Sequence, residues 1–260
     1  MYEKELKAMI AAAKKVEQHI LDIYYSSDYE VERKSDNSPV TIADIGADKV
    51  IRGLLNKEFP EYGILTEESQ DTKERLNKEF VFIVDPVDGT QEFVTHNDEF
   101  ATNIALVRNH IPVVGVINIP VTGVTFFAVK GQGAFRLDDN GVKFRIETSK
   151  KTKDLICCIS KNYHEKADQE FIEKHSDVIS TVKALGASLK FCQIAEGHAD
   201  VSFRMKPGTK EWDTAAGQII VEEAGGAVVK LDGSAYTYNR ENVINEEPYE
   251  ILNRIENLIR

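Results

Sequence analysis

A chain of 260 residues, 42% hydrophobic and 29% charged, has the composition of an ordinary globular protein, long enough for one large core or for two lobes sharing an interface. Its formal net charge of -11 argues against a grip on nucleic acid or an anionic membrane, both of which need a basic face, so an anionic ligand would require cations to reverse the local sign. Cys157, Cys158 and Cys192 are too sparse for a disulfide framework and read as reduced core thiols; with no signal peptide and no apolar run near the ~20 residues of a membrane helix, a cytoplasmic protein without an integral membrane segment is expected.

From Glu3 to Tyr25, apolar residues recur at Leu6, Met9, Ile10, Ala13, Val16, Ile20 and Ile23, the spacing of a long amphipathic helix. KSDNSPVTIAD is turn-rich as far as Pro39, and Thr41 then heads a second helix through Ile42, Val50, Ile51, Leu54 and Leu55 to Pro60. YGILTEES predicts a short strand ending in Glu67 and Glu68, the charged stretch from Gln70 to Lys78 a solvated loop, and FVFIV at 80–84 a buried strand. Beyond Phe100, ATNIALV, IPVVGVINI, VTFFAVKG and AFRL alternate with turn formers, and Asp139-Asn140-Gly141 signals a hairpin. Residues 1–150 are therefore expected to form an α+β lobe of two helices and an antiparallel meander.

From Asp154 strand and helix alternate: strand DLICCIS, a helix from His164 to Lys174, helix SLKFCQIAEG, strand ADVSFRM, helix WDTAAGQIIVEEAGG and strand AVVKL. Ile251, Leu252, Ile255 and Leu258 share one face of a closing helix predicted from Pro248 to Arg260. Residues 151–260 thus read as an α/β lobe, with its boundary near 145–153. No internal repeat or low-complexity tract is evident.

The strand at 80–84 runs into Asp85-Pro86-Val87-Asp88-Gly89-Thr90. Asp-Pro and Asp-Gly serve as plain turn dipeptides elsewhere. Here Pro86 fixes its own φ and biases Asp85 toward an extended conformation, which would hold two carboxylates and the Val87 carbonyl in a tight arc. Gly89 admits close approach of a ligand and leads into a short helix at Gln91 to Val94, whose free N–H groups suit an anion. If the strands ending at Glu67 and Asp85 are neighbours, their carboxylates meet and need a positive partner. Asp213, after the only tryptophan, and Asp44, in VTIAD, each stand where a plain helix-capping acid would also stand. With no His or Cys near these acids, a metal would have hard oxygen ligands, which points to magnesium or manganese rather than zinc. Such ions serve phosphoryl transfer. Ser69, the nearest hydroxyl, has no adjacent general base to make it a nucleophile.

Together, TEES, DPVDGTQEF and EWDTAAGQIIVEEAGG, in this order over most of the chain, resemble the magnesium-dependent, lithium-sensitive inositol monophosphatase superfamily. SDNSPVTIAD, GTQEF followed by NDEFATNIALV, and SLKFCQIAEG are similar to its CysQ-type branch, the 3'(2'),5'-bisphosphate nucleotidases. KPGTKEWD departs from that branch, its insertion before the tryptophan resembling the eukaryotic bisphosphate nucleotidases. The resemblance implies an α+β or α/β fold, a layered αβαβα sandwich of the inositol monophosphatase and fructose-1,6-bisphosphatase type. It implies that Glu67, Asp85 and the Val87 carbonyl bind one metal and that Asp85, Asp88 and Asp213 bind a second. Asp44 would stand near a weaker third ion, Thr90 with Glu67 would orient the attacking water, and the N–H groups of Gly89 and Thr90 would hold the phosphate. Gly186, Ala187, Ser188, Lys190 and Asp213 fall on the substrate side, with Arg204, Lys206 and Lys210 as further basic candidates.

The activity so implied is hydrolysis of the 3'-phosphate of 3'-phosphoadenosine 5'-phosphate, or of its sulfated relative, by metal-activated water. Two or three Mg2+ ions would be held, with Mn2+ as a substitute, in a monomer or homodimer acting on a small phosphorylated substrate and not on nucleic acid. An inositol-1-monophosphatase and a non-catalytic nucleotide- or metal-binding protein are the alternatives. A nuclease would fit the two-metal chemistry but not the net charge.

Overall fold

The computed structural model describes residues 1–26, 31–33, 39–162 and 166–258. Helix α1, Glu3–Tyr25, has the predicted bounds and buries Met9, Ala12, Ala13, Val16, Ile20 and Ile23 along one stripe. Strands β1, Val31–Arg33, and β2, Pro39–Thr41, pair antiparallel; residues 34–38, most of the predicted turn, lie outside the described residues. Helix α2, Ile42–Glu58, starts at a capping box in which Thr41 Oγ1 accepts from the Ala43 N–H and Asp44 reaches back to the Thr41 N–H.

The seven-stranded sheet then forms from β3, Gly63–Thr66, β4, Phe80–Asp88, and, after the short helix α3, Thr90–Val94, the meander β5, Ala101–Arg108, β6, Ile111–Ile119, β7, Val124–Val129, β8, Gly133–Leu137, and β9, Lys143–Ile146. It is antiparallel except where β3 runs parallel to β4. Next come β10, Leu155–Ser160, α4, Lys166–Lys174, β11, Ile179–Leu185, α5, Leu189–Ala195, β12, Val201–Arg204, α6, Glu211–Glu223, β13, Ala227–Lys230, and β14, Tyr249–Leu252. The strands among them make a five-stranded sheet in the order β11-β10-β12-β14-β13. The predicted helix from His164 is seen from Lys166, its first two residues lying outside the described ones.

Alternation along β4 explains the layering. Phe82 and Val84 pack with α1 and α2, whereas Val81 and Ile83 pack with α5, α6 and the inner face of the second sheet. Phe171 and Ile172 of α4 cover the outer face of that sheet over Leu155, Cys157 and Phe203. The order is helix, sheet, helix, sheet, helix, the expected αβαβα sandwich. All three cysteines are buried and unbridged, and burial pushes their thiols up. No described helix is long and apolar enough to cross a membrane.

One sequence expectation fails, one holds only in part and one strand was not foreseen. Tyr249–Leu252 is a strand between β12 and β13, not a helix, and only a short 3₁₀ turn, Ile255–Asn257, follows. Buried along its whole length with Glu250 inside it, the four-residue strand YEIL shows no clean alternation, and so short a stretch is not separated from a helical turn by periodicity alone. The stretch Gln70 to Lys78 is exposed at most positions, as a solvated loop is, but the expectation fails at its 3₁₀ turn, Glu74–Asn77, where Arg75 is only 3% exposed among hydrogen-bond partners. Strand β11 was not anticipated at all, its residues being largely exposed at the sheet edge.

The middle helix layer fixes the distance between the two sheets, and Gly115 of β6 sets its closest approach. A Cβ there would lie 2.4 Å from Ile219 Cγ2 and 2.6 Å from the Ala216 carbonyl oxygen of α6. Gly115→Val is expected to cost about 1–3 kcal/mol by overpacking, measured by denaturant unfolding; a parent-like midpoint with an unchanged slope would contradict this contact.

Candidate active site

Residues three apart on a regular strand point to opposite faces, yet Asp85 and Asp88 share one. The pairing of β4 with β5 shows why: Asp85 faces Asn103 and Asp88 faces Ala101, so Pro86 and Val87 together oppose the single residue Thr102. This bulge resets the parity of the strand. Pro86 fits it because it brings no N–H to be paired, and its carbonyl accepts from Thr102 Oγ1 at 2.8 Å. The parallel register of Thr66 with Val84 then carries Glu67 alongside Asp85, with the Glu67 N–H donating to the Val84 carbonyl at 3.2 Å.

Helix α6 brings the remaining acid across from the other half of the chain. Asp213, in its first turn, accepts from the Lys210 N–H at 2.6 Å. One carboxylate oxygen from each of Asp85, Asp88 and Asp213 lies within 4.8 Å of the others. Burial is the largest cause of an upward pKa shift in all three, and Glu67, Asp88 and Asp213 push Asp85 further. Asp213 reaches about 7. Asp88 is partly relieved by Ser188, Lys190 and Asn103: its Oδ2 accepts from the Ser188 N–H at 2.6 Å and from Asn103 Nδ2 at 3.0 Å. Asp85 Oδ1 is buried without any hydrogen-bond partner. An orphaned carboxylate oxygen among mutually repelling acids is an arrangement that a divalent cation would satisfy, and the donors are all oxygens, as Mg2+ or Mn2+ require.

Asp44 and Thr90 meet beside this cluster. Asp44 Oδ2 accepts from the Thr41 N–H and hydroxyl at 2.8 and 2.6 Å, and Oδ1 accepts from Thr90 Oγ1 at 3.1 Å. Burial raises the Asp44 pKa and these donors oppose it. Gly89 has φ +92, and a Cβ there would sit 3.0 Å from Ala187 Cβ and 3.1 Å from the Glu99 carbonyl, so the turn into α3 and the stretch 186–188 touch. The Gly186 N–H donates to Glu99 Oε2 at 2.8 Å, and Ser188 Oγ donates to Asn103 Oδ1 at 2.8 Å. Lys190 faces the same cleft with its ammonium donating to the Ala187 carbonyl at 2.6 Å, and burial lowers its pKa.

The acids open into a cleft of about 510 Å³ that Arg33, Lys190, Arg204, Lys210 and Trp212 also line. Lys206 is not among the residues that border it. The expectation that Ser69 lacks a neighbouring base needs correction: Ser69 Oγ donates to Asp48 Oδ2 at 2.6 Å. It opens, however, onto a separate depression with Arg52 and Thr66. Sequence reasoning missed Asn103 and Glu99, which brace Asp88 and the 186–188 stretch, and Glu92, which packs against Gly186 and accepts from Asn162 Nδ2. A polar residue inside the apolar run ATNIALV was the available signal for Asn103.

The profile of the inositol monophosphatase family matches residues 1–259. The chain is 38% identical over 218 residues to the 3'(2'),5'-bisphosphate nucleotidase CysQ of Salmonella typhimurium, covering 83% of this chain and 86% of that protein. It is 37% identical to that of Escherichia coli over the same shares. The crystal structure of CysQ from Bacteroides thetaiotaomicron is similar with a TM-score of 0.83 at 35% identity, covering 97% of this chain and 98% of the other. Thermotoga maritima IMPase is similar with a TM-score of 0.82 at 27% identity, covering 98% and 95%. A profile match from the first residue to the last but one leaves neither sheet outside it, and the chain belongs to the inositol monophosphatase family.

Proposed function

We propose that this phosphoric monoester hydrolase removes the 3'-phosphate of 3'-phosphoadenosine 5'-phosphate, releasing AMP, or that of 3'-phosphoadenosine 5'-phosphosulfate, releasing adenosine 5'-phosphosulfate. The observation that carries the reading is the convergence of Asp85, Asp88 and Asp213 to within 4.8 Å in a cleft that also holds Arg33, Lys190, Arg204 and Lys210. Acids for cations and bases for a second phosphate suit a doubly phosphorylated substrate. The nucleotidase relatives support the same choice.

Glu67, Asp85 and the Val87 carbonyl would hold one Mg2+, and Asp85, Asp88 and Asp213 a second; the ions, when bound, supply charge neutralisation and Lewis acidity at the phosphate. Thr90 Oγ1 stands 3.1 Å from Asp44 Oδ1 and 3.2 Å from the Val87 carbonyl but has one proton to give. The carboxylate is the stronger acceptor, so the hydroxyl lone pairs are left to accept from the attacking water. Glu67 takes the water's other hydrogen bond and orients it. The N–H groups of Gly89 and Thr90 hold the phosphate in line for attack. As the new P–O bond forms, the attacking water gives up a proton to Glu67, the ester P–O bond breaks, and the ribose oxygen leaves with the bonding pair and takes up a proton from solvent.

Phosphate release from a substrate panel, in Mg2+ and in chelator, tests this. 3'-Phosphoadenosine 5'-phosphate is expected to exceed inositol 1-phosphate by about tenfold or more in kcat/KM, because a site with a second phosphate partner leaves it unpaired with the smaller substrate. Equal or greater turnover of inositol 1-phosphate would transfer the site to the ring-alcohol reading, which the likeness to Thermotoga maritima IMPase supports. Absence of release from every substrate in Mg2+ would leave a binding protein.

A further inference from the structure

We propose that Arg75, Asn239, Glu211 and Arg240 form a buried positioning clasp that sets the separation of Glu67 and Asp213, and through it the affinity of the site for divalent cations. The inference rests on the reading of those two acids as cation ligands. Glu67 follows β3 of the seven-stranded sheet and Asp213 opens α6 of the middle helix layer, nearly 150 residues later, so something beyond the local backbone must hold them in register.

Glu211 sits two residues before Asp213 in the first turn of α6 and is wholly buried. A buried carboxylate persists only if its oxygens are satisfied. Its Oε2 accepts from the Asn239 N–H at 2.6 Å, and its Oε1 from the Arg240 N–H at 2.8 Å and Arg240 Nε at 3.0 Å. Asn239, with φ +57, exchanges hydrogen bonds with Arg75: its Oδ1 accepts from Arg75 Nη1 at 2.7 Å and its Nδ2 donates to the Arg75 carbonyl at 3.2 Å. Arg75 in turn clamps Asp71 through Nε at 3.1 Å and Nη2 at 2.7 Å and donates to the Arg240 carbonyl at 3.0 Å. An unbroken chain of charge-assisted bonds therefore joins the segment after Glu67 to the turn that carries Asp213.

None of these side chains borders the cleft, so they can act only through the residues they hold. Mg2+ demands near-ideal octahedral geometry, which makes its affinity sensitive to the spacing of its ligands. The clasp is suited to supply that spacing.

Calorimetric titration of MgCl2 into the substrate-free protein tests it with Arg75→Met, Arg75→Lys and Asn239→Gly, the last keeping the left-handed backbone available. Arg75→Met and Asn239→Gly are expected to weaken cation binding about 10- to 100-fold, the usual range for partners that orient metal ligands, with Arg75→Lys recovering part of the loss through its remaining donor. The Mg2+ midpoint of phosphate release moves with it, while kcat at saturating Mg2+ stays within about threefold of the parent, a split that general destabilisation would not produce. Far-UV circular dichroism establishes folding, and Asn239→Gly carries the test if Arg75→Met does not fold. Cation affinity within about twofold of the parent in the folded variants overturns the clasp. Asp213→Asn separates the two levels: if it retains parental cation binding, the ligand reading itself fails, and if it loses binding while the clasp variants keep it, only the clasp fails.

Discussion

Asp88→Asn is expected to lower kcat by about a thousandfold or more, roughly 4 kcal/mol of lost transition-state stabilisation. The hydrogen bonds of Asp88 dictate how the replacement must sit. Its Oδ2 takes two donors, the Ser188 N–H and Asn103 Nδ2, so an asparagine must turn its carbonyl oxygen toward them. The amide nitrogen then replaces the other carboxylate oxygen beside Asp85 and Asp213, with donors where an acceptor and a share of negative charge stood. Shape is kept and the ligand is lost. Stability should move the other way, because three carboxylates that close repel one another, and burial already opposes their ionisation. In chelator the variant should melt at or above the parental temperature while being nearly inactive in Mg2+. Steady-state phosphate release and a melt of the same preparation check both halves; parental kcat would contradict the assigned role, and a large drop in melting temperature would assign the lost activity to misfolding.

How far the sequence could be read depended on whether the deciding interactions were local. Helix α1 was legible to its end residues because a single stripe faces a single sheet. The bulge that turns Asp85 and Asp88 to one face was half legible: Pro86 announced an irregular strand, but the residue it opposes, Thr102, is set by pairing with a strand 16 residues away. Arg75 carries the opposite lesson. In a run of Asp, Lys, Glu and Arg it looks like solvated charge, and only the loop at 239–240, more than 160 residues later, buries it. Tyr249–Leu252 was misread for a related reason, since its two neighbours in the sheet come from 201–204 and 227–230. The grouping of the acids themselves became legible through resemblance, because nothing in the local pattern of EWDTAAG separates Asp213 from an ordinary helix-capping residue.

Freed of divalent cations, the protein is expected to gain stability as pH falls from 8 to about 5.5, and Mg2+ should remove or reverse that trend. Burial, then Asp88 and Glu67, push Asp213 up to about 7, and Asp85 is raised as well. Between the ordinary carboxylate range and 7, the folded chain therefore binds more protons than the unfolded one, so its stability falls as pH rises through that window. For Asp213 alone the span from pH 5.5 to 7 amounts to roughly 2 kcal/mol, or about 4–8 °C in melting temperature for a chain of this size. Asp44, Glu211 and Asp88 are shifted in the same direction, again by burial first, and Asp71, held near 2, titrates below the window. Cations bind the ionised carboxylates and compete with protons, so they stabilise the fold most at pH 8 and least at pH 5.5. Scanning calorimetry in EDTA and in MgCl2 across this range reads the difference directly. A gap between the two curves that does not narrow on acidification, or a chelated protein more stable at pH 8 than at pH 6, would mean that these acids are neither the proton sites nor the cation sites. Asp213→Asn should flatten the chelated curve over the same window, which ties the slope to that side chain.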